Sequence, residues 1–103
     1  MGNAKAIKPV QDILRSLTEL KTEVKQRYKA EIKGIFGSYV RGEEKDGSDI
    51  DVLVEFDEGA NLIDFVGLSL FLEEKLNLHV DVVPESAIRK EIKADILKEA
   101  AYL

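Results

Sequence analysis

The stretch Asp49-Ile50-Asp51-Val52-Leu53-Val54-Glu55-Phe56 decides the fold. Ile50, Val52, Val54 and Phe56 recur at every second position, the period of a β-strand with one apolar face, while Asp49, Asp51, Leu53 and Glu55 fall on the other. Two aspartates inside an apolar strand are costly if layers cover both faces, because each buried charge loses several kcal/mol unless paired or bound to a metal. The pattern therefore predicts an α/β (α+β) domain whose helices lie mainly on one face of a small sheet, with the acids open on the other.

Working outward, Asn61 to Leu76 is apolar and of helical length, with Asn61 as its N-cap. Leu78 to Val83 reads as another strand, with Leu78, Val80 and Val82 opposing His79, Asp81 and Val83, so a third acid interrupts an apolar strand. After Pro84, Ser86 is expected to cap a last helix with a stripe of Ile88, Ile92, Ile96, Leu97 and Ala100. Upstream, Val10, Ile13, Leu14, Leu17, Leu20 and Val24 give one amphipathic helix from Pro9 to about Lys29. Ile32 to Phe36 is a short strand that ends at Gly37, followed by a tight turn through Gly42 and a charged loop, Glu43 to Ser48.

The chain has 103 residues, of which 45% are hydrophobic and 34% charged, a balance that predicts a single domain over residues 1–103 with an ordinary core. With no cysteine and one histidine, disulfide scaffolds, thiol nucleophiles and Cys- or multi-His metal sites are excluded. A formal charge of −5 argues against a broad basic face for nucleic acid. Residues 1–8 hold no apolar run of the secretory kind, and Ala6 stands where a myristoylation signal has Ser or Thr. Leu62 to Leu72 is the longest apolar stretch, but Asp64 interrupts it and it falls short of the ~20 residues of a membrane span, so a cytoplasmic location is expected.

Asp49 and Asp51 stand one residue apart on a strand, so both carboxylates point the same way, with α-carbons roughly 6–7 Å apart. Together they can grip metal, and Asp81 joins them if its strand pairs alongside. Oxygen-only ligands favour a hard cation such as Mg²⁺, and two such ions ~3.5–4 Å apart serve phosphoryl and nucleotidyl transfer. A calcium loop is the specific competitor, but Ile50 falls on a ligand position of the series Asp46, Ser48, Ile50. Gly37-Ser38, after a strand and before a helical turn, offers backbone N–H groups and a hydroxyl to a phosphate. A P-loop is excluded, since Glu43 and Glu44 occupy the Lys and Ser/Thr positions.

Gly37-Ser38, ten intervening residues, then Asp49-x-Asp51 resembles the signature of the DNA polymerase beta-like nucleotidyltransferase superfamily. Gly37-Ser38-Tyr39-Val40-Arg41-Gly42 and Ser48-Asp49-Ile50-Asp51-Val52-Leu53-Val54 are similar, more closely, to the minimal nucleotidyltransferases that act as antitoxins of HEPN toxins. The resemblance implies a polymerase beta-like fold with a small mixed sheet, Asp49, Asp51 and Asp81 as ligands of two Mg²⁺ ions, and Gly37 and Ser38 as the triphosphate cradle. It further implies that Asp81 helps to deprotonate the acceptor and that Arg41 lies near the phosphates or braces the carboxylates. The reaction implied is transfer of AMP from ATP to a tyrosine hydroxyl of a HEPN toxin. The surplus apolar surface of Asn61 to Leu76 leaves a homodimer or hetero-oligomer open, and the composition leads to no expectation of a membrane or a direct nucleic-acid partner.

The residues alone leave other readings open: a module that neutralises a partner by occlusion, a nucleotide sensor, and an antibiotic nucleotidyltransferase, which an extra acceptor domain would be needed to support. Tyr39 is expected to pack rather than stack on a base, and His79 to be exposed or structural.

Overall fold

The computed structural model describes residues 9–42 and 49–103. Helix α1, Val10–Tyr28, buries Ile13, Leu17 and Val24 and ends where Lys29 turns left-handed (φ 56) and donates its N–H to Lys25 O. Lys25 and Arg27 occupy the last turn, where positive charge complements the helix dipole. Strand β1, Ala30–Phe36, runs antiparallel to β2, Ile50–Phe56, with a register shift between Ile32 and Gly34.

Helix α2, Leu62–Leu76, opens on a capping box: Asn61 accepts the Asp64 N–H, and the Asp64 side chain accepts the Asn61 N–H. It carries the chain over to β3, Val80–Pro84, which lies parallel to β2. A 3-10 turn, Glu85–Ala87, leads to α3, Lys90–Glu99, and to a two-residue strand β4, Ala101–Tyr102, antiparallel to β1. The sheet order is β3-β2-β1-β4, a mixed sheet as expected.

Residues from α1 and α2 (Leu17, Val24, Leu68, Leu72) pack on Ile32, Ile35, Ile50, Val52, Val54, Val80 and Val82 to form the core. Among the described residues, no helix is long and apolar enough to cross a membrane.

Several expectations need correction. Leu53, assigned to the open acidic face, is fully buried, so that face is not open along its whole length: the 3-10 turn contacts β2 and α3 contacts β1. Ser86 does not cap the last helix: it lies within the 3-10 turn, and α3 begins at Lys90 after Arg89, which makes no side-chain cap bond. None of the α3 stripe is buried, and Ile92 is exposed. The β3 strand starts at Val80 rather than Leu78, and β4 was not foreseen.

Strand β4 depends on Gly34, since a Cβ there would run into Ala101 O. The charged loop expected over Glu43 to Ser48, and residues 1–8, lie outside the described residues.

Candidate active site

Three strand ends meet at one place on the sheet. Phe36, the last residue of β1, is the register partner of Asp51, and Asp51 is in turn the partner of Asp81 on β3. Parallel neighbours at one register level direct their side chains to the same face, and strands stand about 4.8 Å apart, so Asp51 and Asp81 are adjacent. At this level Ile50 donates its N–H to His79 O at 2.9 Å. Asp49 lies immediately before β2 and is exposed, Asp81 is exposed, and Asp51 is half-buried.

The Gly37 turn closes over Asp51. Gly37 sits at φ +86, where an L side chain is strained, and a Cβ on it would collide with Asp51 Oδ2 and displace that carboxylate. The chain then winds through one turn, with Val40 N–H and Arg41 N–H donating to Gly37 O at 3.1 and 3.2 Å. Tyr39 is buried in the core, in keeping with a packing role, which anchors the turn and leaves Ser38 half-buried beside Gly37. Arg41 Nη1 is 3.9 Å from Glu99 Oε1 at the end of α3.

Charge in this corner is unbalanced. Burial pushes the Asp51 carboxyl above the ordinary 3.8, the negative charges of Asp81 and then Asp49 push it further, and Arg41 opposes them. Hard carboxylate oxygens with an excess of negative charge suit a magnesium ion. Among the described residues no three His, Cys, Asp or Glu side chains already converge as a ready chelate. What the strands bring together is the pair Asp51 and Asp81, with Asp49 two residues along on the same strand line.

His79 is 77% exposed and lies 4.0 Å from Glu73. Glu73, absent from the sequence-derived candidates, accepts the Val80 N–H at 3.1 Å. Nothing in the helical periodicity of α2 sets this glutamate apart from Glu74, because its partner is a backbone group reached only through the fold. Leu62, Ile63, Val66 and Leu70 of α2 are exposed, the surplus apolar surface expected of a helix that is hydrophobic on most sides.

A strand-turn unit thus closes over one carboxylate, with a second acid opposite it across a parallel ladder. Residues 17–103 match the nucleotidyltransferase domain family, and the chain belongs to it. Over 98 residues it is 40% identical to the protein adenylyltransferase MntA of Thermococcus cleftensis, spanning 95% of this chain and 99% of that protein. A solved structure assigned as a minimal nucleotidyltransferase superposes with a TM-score of 0.78 at 34% identity, covering 96% of this chain and all (100%) of the other. A similar fold occurs in the complex of a tri-AMPylated Shewanella oneidensis HEPN toxin with its MNT antitoxin. There the TM-score is 0.64 at 20% identity, over 89% of this chain and 69% of that one.

Proposed function

We propose that this protein is a cytoplasmic Mg²⁺-dependent adenylyltransferase that moves AMP from ATP onto a tyrosine hydroxyl of a HEPN toxin, and thereby acts as its antitoxin. The observation that carries the reading is the register of Asp51 opposite Asp81 beneath the Gly37 turn. The activity named for the Thermococcus relative and the modified toxin in the Shewanella complex support the acceptor class.

In this mechanism Asp49, Asp51 and Asp81 would hold two magnesium ions, which would supply charge neutralisation for the transfer. The Ser38 hydroxyl and the backbone of the Gly37 turn hold the triphosphate, and the missing side chain at Gly37 lets it approach closely. Arg41 adds positive charge on the same side. Asp81 takes the proton of the acceptor hydroxyl, whose oxygen bonds to the α-phosphorus as the bond to pyrophosphate breaks. Most of the rate gain is positioning and electrostatic stabilisation.

Incubation with Mg²⁺, α-labelled ATP and the cognate toxin tests the reading. Label should pass to the toxin with the wild type and not with Asp49→Asn, Asp51→Asn; an unlabelled toxin in a stable complex overturns it. The second reading, neutralisation by occlusion alone, is favoured by the exposed stripe Leu62, Ile63, Val66 and Leu70, which suits protein binding whatever the chemistry. Under occlusion the double aspartate variant still silences the toxin.

A further inference from the structure

The connection from α2 to β3 is clamped at both ends by one residue. Glu73 accepts the Asn77 N–H on its main-chain oxygen at 2.8 Å, closing the helix, and the Val80 N–H on its carboxylate at 3.1 Å, opening the strand. Only Asn77, Leu78 and His79 lie between the two elements. In a parallel ladder successive residues alternate between turning their N–H and C=O toward the neighbouring strand and away from it. Because Ile50 bonds to His79 O, the Val80 N–H faces away from β2, and β3 is the edge strand with no further strand to receive it. Val80 is only 8% exposed, so this donor needs a partner within the protein.

A carboxylate in the last turn of a helix also opposes the helix dipole, an unfavourable place unless its charge is used. What it fixes is the residue at which β3 begins. Side chains in a strand alternate between faces, so a slip of a single residue would carry Asp81 to the helix-covered face and away from Asp51. We infer that Glu73 is a positioning residue, whose bond to the Val80 N–H sets the register that places Asp81 opposite Asp51. The inference rests on the reading of these aspartates as the working group of the enzyme.

The test compares wild type with Glu73→Gln, which keeps an acceptor of equal reach, Glu73→Asp, which keeps the charge but falls short, and Glu73→Ala. Three readouts are taken: amide exchange at Val80, Mn²⁺ binding by the purified protein, and kcat against KM for label transfer to the toxin. Glu73→Ala and Glu73→Asp should speed Val80 exchange at least tenfold and weaken Mn²⁺ about 10- to 100-fold, the usual loss for outer-shell groups. They should lower kcat with little change in the KM for ATP, and Glu73→Gln should stay within about threefold of wild type in all three.

Folded Ala or Asp variants that bind Mn²⁺ and transfer label like the wild type overturn the inference, as does a Gln variant as impaired as Ala. Should Glu73→Ala not fold, the Asp and Gln pair decides on its own. A wild type that labels no toxin defeats the enzymatic reading instead, while Mn²⁺ binding and Val80 exchange still judge Glu73.

Discussion

Gly37 and Asp51 meet where β1 and β2 converge, with the glycine so close to the carboxylate that a methyl group on Gly37 would occupy the place of Asp51 Oδ2. Gly42, at the other end of the same turn, has a similar backbone (φ +76) and, among the described residues, nothing within 4 Å of its would-be Cβ. The two glycines therefore separate backbone strain from displacement of the carboxylate. Gly42→Ala should lose roughly 1–2 kcal/mol of stability to backbone strain, several degrees in melting temperature, and Gly37→Ala at least as much. Only Gly37→Ala should also cost tenfold or more in nucleotide transfer, measured on protein shown to be folded.

The surplus negative charge at Asp51 and Asp81 predicts that a divalent cation stabilises the fold. At ten times its dissociation constant, Mg²⁺ should add about 1.4 kcal/mol, raising the melting temperature by several degrees. Thermal melts with Mg²⁺ and with a chelator read the shift directly. Asp51→Asn and Asp81→Asn should each remove most of it, and an unchanged shift in both would place the cation elsewhere.

In the presence of chelator the same carboxylates give a pH dependence of defined sign. Asp51 is raised above 3.8 first by burial and then by Asp81 and Asp49, so the folded protein holds its proton to higher pH than the unfolded chain. The stability linked to this proton is complete below about pH 4 and is lost as pH rises through the raised folded value. Asp51→Asn should therefore melt above the wild type at neutral pH, with the gap closing near pH 4. An Asp51→Asn variant that melts below the wild type at neutral pH would show that Arg41, not burial and the neighbouring acids, governs Asp51.

The elements that carry these residues are legible in the sequence where the signal is local. Strand β2 falls on Ile50–Phe56 as its alternation requires, and Asn61 caps α2, because both signals are local and periodic. The adjacency of Asp51 and Asp81 was conditional on strand pairing, which periodicity does not specify. Strand β4 has two residues and no period at all; it forms because Gly34 on the partner strand leaves room for Ala101 O. Ser86 misled because a serine after a proline serves a 3-10 turn as well as a helix cap, and the choice between them is made by packing on β2. Leu53 alternates onto the face of Asp51 yet is fully buried, because cover over a face comes from later elements of the chain that strand alternation does not reveal.

Helix α2 shows how far its apolar composition overstates its burial. Leu72 is 0% exposed within the core, whereas Leu70, two residues away, is 62% exposed. Leu72→Ala should cost about 3 kcal/mol through lost contacts and the cavity left behind, lowering the melting temperature by more than about 10 °C. Leu70→Ala should change stability by less than about 0.5 kcal/mol, since alanine is also the better helix former. Denaturant unfolding of the two variants beside wild type distinguishes them, because a true surface position shifts neither the midpoint nor the slope. Equal losses at both positions would mean that Leu70 is covered in solution, and the stripe it shares with Ile63 and Val66 would then belong to an interface already formed in the purified protein.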